Sequence, residues 1–414
     1  MKKQTKKVEY VPTKQVLERY ATVLVRFALG NGKGIKKGDV VYITVPEVAK
    51  PLLAAVCAEV TRAGGHVLLN YEPSVDPRHN LTRDFLLGAS GQQLDFFPEH
   101  YYRGIVTQAD HILRILGETD PHALSDVDPK LIMRRGIAMK PYRDMRTTKE
   151  QEGKQSWCIA LYGTPAMAAE AGLSIEAYWR EITRACFLTE ADPIARWRAV
   201  TKEIGVFESK LSKLSPKIDK LHVTGPDADL WVTLGESRKW LSGRGCNIPS
   251  FEIFTSPDWR GTEGWIRFNQ PLYRFGTLVT DIELHFKKGK VVKSSAKTGE
   301  KVLREMLATK GADQLGEFSL TDRRHSRIRT FMAETLYDEN VGGPHGNTHI
   351  ALGASFPDTY LGDQRSLTAA RKEELGYNDS SIHTDIISTA PRTVTAQLKD
   401  GTTRVIYDKG QFVL

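Results

Sequence analysis

The chain is poor in cysteine, with four in 414 residues: Cys57, Cys158, Cys186 and Cys246. No two of them form a Cys-x-x-Cys pair, so a zinc knuckle or a cysteine nucleophile is poorly supported, and soft-metal or iron–sulfur chemistry lacks the thiolates it needs. Widely spaced single thiols are expected to be reduced core residues, as in cytoplasmic proteins. No stretch approaches the ~18 apolar residues of a membrane span. The positive residues at the start are followed by no apolar run, so a secretory leader is not expected. Two hydrolase signatures are also missing. There is no H-E-x-x-H helix for a single zinc ion and no G-x-S-x-G elbow for a serine nucleophile.

What is present describes a globular protein: 40% hydrophobic and 26% charged residues, in a length that suits two domains. The net charge is +8. Much of the excess sits in the first seven residues and in the turn Lys287-Lys288-Gly289-Lys290. A solvated surface explains such clusters, and no recognisable RNA- or DNA-binding motif accompanies them. A basic nucleic-acid-binding protein is therefore carried only as a rival reading from a different class, and a nucleic-acid partner is not expected.

The first 120 residues alternate between helical and strand patterns. Thr13 can cap a helix whose apolar positions Val16, Leu17, Tyr20, Leu24 and Phe27 recur at helical spacing. Residues 40–45 form a β-branched run suited to a buried strand, residues 47–63 a helix, and residues 66–70 and 111–116 two more strands. Strands separated by helices imply a parallel, helix-covered sheet. The loop Gly30-Asn31-Gly32-Lys33-Gly34 follows a helix and precedes a strand, the reverse of a phosphate-binding loop, and Ile35 stands where the last glycine of G-x-G-x-x-G belongs. It reads as a connector. Residues 165–215 are helical, with Pro193 near the first turn of a segment through Trp197, Val200, Ile204 and Phe207 that can tie the two halves together. From residue 221 onward the pattern is strand-rich. Ile282, Leu284 and Phe286 alternate with Glu283 and His285, and Asp400-Gly401 joins a hairpin. The expected fold is thus an N-terminal α/β domain with a mainly parallel sheet and a helical connector (residues 1–215), followed by a strand-rich α+β domain (residues 216–414).

Chemistry-bearing residues concentrate in four short segments of that second half. Asn247-Ile248-Pro249-Ser250-Phe251-Glu252-Ile253-Phe254-Thr255 places one carboxylate in an apolar run, and Leu315-Gly316-Glu317-Phe318 sets another between a glycine and an aromatic. Asp338-Glu339-Asn340 is followed by His345 and His349, and Ser380-Ser381-Ile382-His383-Thr384-Asp385 completes the set. In a strand, residues two apart share a face, so His383 and Asp385 can hold one ion together. A lone histidine in an apolar strand is more often a satisfied core residue than a ligand. Together, however, these carboxylates and imidazoles suit Zn²⁺, Co²⁺ or Mn²⁺, and there are enough of them for two ions bridged by a carboxylate.

In this order and over nearly the whole chain, these segments resemble the thermophilic-type metalloaminopeptidase family that includes aminopeptidases T and S. Residues 20–71 resemble its opening helix–strand–helix–strand, and residues 247–269 its N-x-P-x-x-E-x-F-T segment. Residues 315–318, 338–340, 349–353 and 382–385 follow in the family's order. The resemblance implies an N-terminal α/β domain, a C-terminal domain with two divalent ions (Zn, Co, Mn or Mg), and a homodimer enclosing the active sites. It implies that Glu252 is a ligand, that Glu317 bridges both ions, that Glu339 and His349 serve one ion, and that His383 and Asp385 serve the other.

The implied reaction is hydrolysis of the N-terminal residue of short peptides by a metal-activated water, in the cytoplasm. Two departures stand out. The family's tyrosine seven residues after the matching histidine is Phe356 here, with Tyr360 as its nearest substitute. The segment before His349 is lengthened, so that His345 is either an added site residue or part of a glycine-rich loop. A mononuclear-iron ring-cleaving dioxygenase on a similar scaffold is the rival enzyme. It needs fewer carboxylates than Glu252, Glu317 and Glu339 supply.

Overall fold

A computed structural model describes residues 10–76 and 78–414; the lysine-rich first seven residues lie outside the described residues. The opening helix, Lys14–Val23, begins where the sequence places it, with the Thr13 hydroxyl accepting from the Val16 backbone N–H. It runs into a wider π-helical turn, Leu24–Ala28, in which Leu24, Val25, Phe27 and Ala28 are all buried. The connector then folds back on this turn. Gly34 adopts φ +80°, and a side chain there would meet the Arg26 backbone, so the glycine serves close packing of the main chain.

Five strands form a parallel sheet in the order His66–Glu72, Val40–Pro46, His111–Leu116, Ser156–Leu161 and Asn247–Ile248. Helices such as Lys50–Arg62 connect the first strands, as parallel pairing requires. The fifth strand is contributed from well beyond residue 215, so the chain returns to the first sheet before the strand Glu252–Thr255 begins. The 22-residue helix Pro193–Leu214 fastens this return. Its Trp197 packs among Phe27, Phe187 and Phe251, with ring centroids 6.0, 5.0 and 5.5 Å away. Phe251 immediately precedes Glu252, so the aromatic cluster anchors the base of the candidate site to the N-terminal helix.

The second half contains two further large sheets and a two-stranded ribbon, Leu272–Arg274 paired with Thr277–Val279. One is eight-stranded and antiparallel, and it includes the hairpin Thr393–Leu398/Thr403–Asp408 and the strand Ile282–Lys287, whose Ile282, Leu284 and Phe286 are buried. The other is five-stranded, in the order His383–Ser388, Asn347–Gly353, Leu315–Thr321, Glu252–Thr255 and Leu241–Ser242, with each pair antiparallel. Every residue of its two central named strands, Leu315–Thr321 and Asn347–Gly353, is buried. Four free cysteines are distributed through the molecule without a disulfide. Among the described residues, no helix is long and apolar enough to cross a membrane.

Candidate metal centre

The registers of the five-stranded sheet explain how residues far apart in sequence meet. Opposed residues of an antiparallel pair share a face, and alternation then sorts each strand into two sides. Thr321 opposes Glu252, Ser319 opposes both Phe254 and His349, and Glu317 opposes Ala351, which opposes Asp385. Gly353 opposes His383. Glu252, Glu317, Ser319, His349, His383 and Asp385 therefore line one side. Ile253, Phe318, Leu320, Ile350, Leu352 and Ile386 occupy the other and are fully buried in the main core.

A register shift between Leu315 and Glu317 marks a bulge at Gly316. Gly316 has no side chain to keep the Gly353 and Ala354 carbonyls away. Bulges re-aim the residue that follows, and here that residue is Glu317.

On the polar side, two groups of ligand atoms form, each with its members within 4.8 Å of one another: Glu252, Glu317 and His349, and Glu317, His383 and Asp385. Glu317 belongs to both and divides its oxygens between them. Oε1 lies 3.3 Å from His349 Nε2, and Oε2 lies 3.5 Å from His383 Nε2. His349 Nε2 is also 3.2 Å from Glu252 Oε2, and His383 Nε2 is 3.4 Å from Asp385 Oδ1. Two contacts orient the donors. Ser319 Oγ donates to Glu252 Oε2 at 2.7 Å, and His383 Nδ1 donates to the Ala354 carbonyl at 2.7 Å. The latter leaves Nε2 as the free ligand atom, the usual arrangement behind a metal-binding imidazole.

Glu339, the C-cap of the short helix Thr335–Asp338, belongs to neither ligand group but lies near enough to feel the charges of Glu252, Asp385, His349 and Glu317. Asn247 and Asn340 donate to Glu339 Oε1 at 3.2 and 3.3 Å. Asn247 lies on the fifth strand of the first sheet, so that returning strand helps to place a site carboxylate.

The electrostatics match the geometry. Burial pushes the Glu252 carboxyl up, with His349 opposing and Glu317 adding. Burial and then the charges of Glu252 and Asp385 drive Glu339 well above the carboxylate range. Both imidazoles are held well above their usual value: burial works against their charge, but Glu252 and Glu317 override it at His349, and Asp385 and Glu317 at His383. For Asp385 burial raises and the charge of His383 more than offsets it, leaving the carboxyl below its ordinary range. Three buried acids and a partly buried one set near two imidazoles are expensive unless positive charge compensates them. Divalent cations that accept oxygen and nitrogen donors are the species this set fits. The cluster is sealed at one end and open at the other: the His349 side chain is 1% exposed, whereas His383 and Asp385 keep 22% and 14%.

The remaining sequence candidates fall outside this cluster or at its edge. Phe356 is at the site, its ring centroid 4.6 Å from that of His383 and 5.5 Å from that of Phe254. Tyr360 packs against the separate cluster of Leu367, Leu375 and Tyr377, and its ring and hydroxyl lie by Gly362. His345 is exposed, on a loop whose backbone packs against Gly410 and which borders a cavity with Thr224, Arg392 and Asp408.

Two groups gave no signal in the sequence. Asp358, just past Phe356, has its carboxyl pushed up to about 6 by burial, with Lys239 opposing and Glu317 adding. Its Oδ1 is enclosed without a hydrogen-bond partner among the described residues. Arg274 borders the opposite edge strand and feels the charge of Asp385. Burial pushes the Cys246 thiol up, with the charges of Glu150 and Asp358 adding, so it is no thiolate nucleophile.

Comparisons with known proteins agree with this arrangement. The sequence model of the thermophilic metalloprotease (M29) family matches residues 13–412. Aminopeptidase T of Thermus thermophilus is 30% identical over 97% of this chain and 99% of that protein. Aminopeptidase PepS of Streptococcus thermophilus is 25% identical over 97% and 98%. The solved structure of wild-type AmpT from Thermus thermophilus superposes with a TM-score of 0.80 at 27% identity, covering 97% of this chain and all of that one. A match spanning nearly the whole length, in sequence and in structure, assigns the chain: it belongs to the thermophilic metalloprotease (M29) family.

Proposed function

We propose that this metalloaminopeptidase removes the N-terminal residue of short peptides with two divalent ions held by Glu252, Glu317, Glu339, His349, His383 and Asp385. The observation that carries the proposal is the division of Glu317, whose two carboxylate oxygens face different ligand groups. Two ions at such a site supply a lowered pKa for bound water and polarisation of the scissile carbonyl. Zn, Co, Mn and Mg are all compatible with the oxygen and nitrogen donors.

The chain's own residues do the rest. Ala354 holds the His383 ring through Nδ1, so that its other nitrogen stays aimed at Glu317 and Asp385. Phe356 covers His383 with an apolar ring and excludes water from that side without donating a proton. Asp358, a carboxyl outside the ligand set that burial pushes up to about 6, can hold or release a proton near neutral pH.

A homodimer and a cytoplasmic setting complete the reading. The first follows from the family resemblance, and the second is supported by four free thiols. The test is Glu317→Ala, with bound metal counted and aminoacyl anilide hydrolysis measured on the same samples. Loss of both is expected; activity retained at full metal loading would sink the proposal.

A further inference from the structure

The open end of the cluster, beside Asp385, is bordered by a two-stranded ribbon, Leu272–Arg274 paired with Thr277–Val279. The ribbon packs against the strand His383–Ser388. Arg274 ends its first strand, just before Phe275 and Gly276 reverse the chain with φ of 52° and 70°. The guanidinium lies over the Phe275 ring, 4.8 Å from its centroid. Its Nε is enclosed and has no hydrogen-bond partner among the described residues. Burial pulls its pKa down, and Asp385 is the charge that opposes this. Arg238 shows the contrast: its guanidinium donates to the carbonyls of Ser256, Glu236 and Leu375 at 2.6, 2.8 and 2.7 Å.

Charge balance turns this into a functional statement. Glu252, Glu317, Glu339 and Asp385 carry four negative charges, which two divalent ions neutralise. Asp385 is then committed to an ion, and Arg274 is left as a partly buried cation without a counter-charge among the described residues. Such a group favours an anion that arrives with the substrate. A peptide brings one anion at a fixed position, its C-terminal carboxylate. In a dipeptide only one residue, about 3.5 Å of extended chain, separates it from the scissile bond. Each added residue moves it outward by the same distance.

Resting on the aminopeptidase reading above, we infer that Arg274 is a specificity-determining residue that binds the C-terminal carboxylate of dipeptides at the open end of the site. The enzyme is accordingly tuned toward dipeptides over longer or C-terminally blocked substrates.

The experiment compares metal-loaded wild type, Arg274→Gln and Arg274→Lys on leucyl-alanine, leucyl-alanine amide and leucyl p-nitroanilide. Binding of a reduced-bond leucyl-alanine analogue and of its C-terminal amide is measured in parallel by calorimetry. In Arg274→Gln the dipeptide-to-amide ratio of kcat/KM is expected to fall by about tenfold to a hundredfold, mainly through KM, as for loss of a charge-assisted hydrogen bond. The analogue's affinity should drop in parallel, and Arg274→Lys should recover part of both. An unchanged ratio with unchanged analogue binding would overturn the inference. So would an equal fall in kcat on all three substrates, which would make Arg274 a brace for Asp385. If wild type cleaves none of the three, the aminopeptidase reading fails, and the calorimetric comparison of acid and amide still decides the role of Arg274.

Discussion

Replacing Gly316 with alanine perturbs the centre without touching a ligand. A methyl group there would sit 2.5 Å from the Gly353 carbonyl oxygen, 2.7 Å from the Ala354 carbonyl carbon and closer still to the Ala354 oxygen. Ordinary van der Waals contact needs about 3.5 Å, so this backbone must retreat by about 1 Å. The same Ala354 oxygen accepts the 2.7 Å hydrogen bond from His383 Nδ1, and a 1 Å retreat takes that bond beyond useful length. Two effects follow. Overpacking of a buried bulge should cost about 1–3 kcal/mol of stability. Loss of the bond that orients a metal-binding imidazole should weaken metal affinity by about tenfold to a hundredfold. Urea unfolding of the metal-free protein measures the first effect, and metal titration monitored by calorimetry measures the second. A variant that unfolds earlier but binds metal as tightly as wild type would refute the link drawn between the bulge and His383.

Two further outcomes are expected. Phe356→Tyr places a hydroxyl beside His383, where the Phe356 ring lies 4.6 Å away; a donor at a developing oxyanion should raise kcat on aminoacyl anilides by about tenfold or more at unchanged metal content. No gain would mean that position 356 serves packing alone. Glu334 is pushed up to about 7 by burial, with the Leu336 N–H opposing and the charge of Glu118 adding, against 4.5 for the free group. Between these values the folded state keeps a proton that the unfolded state has released, so stability falls as pH rises from about 4.5 to about 7 and stays lower above. Glu334→Gln should therefore match wild type near pH 4.5 and exceed it by about 1–3 kcal/mol at pH 8. Parallel urea curves at both pH values, differing by the same amount, would contradict this.

Much of the architecture could be read locally. The Thr13 cap, the β-branched strands and the hairpin at Asp400-Gly401 depend on neighbours within a few residues, and the structure has them where the pattern puts them. The pairing of His383 with Asp385 also follows from strand alternation alone. Other features depend on contacts between distant segments. The strand Asn247–Ile248 joins the first sheet because its partner is Ser156–Leu161, almost ninety residues earlier, and two residues of strand carry no pattern of their own. The placing of Glu252 beside Glu317 depends on a register between strands over sixty residues apart, and on a bulge whose only trace in the chain is one glycine. Asp358 and Arg274 stand in a 3-10 turn and a short ribbon where charged residues are ordinary, so nothing local separates them from solvated surface. The surroundings of Tyr360 were hidden for the same reason: the 3-10 turn after Phe356 carries its side chain against another cluster.

The measurement closest to the central claim is a titration of metal-free protein with a divalent ion, following ions bound per chain and leucyl p-nitroanilide hydrolysis together. Activity that saturates only when two ions are bound per chain is the expected result. Full activity at one ion per chain, or two ions bound by a chain that hydrolyses no aminoacyl substrate, would contradict the account.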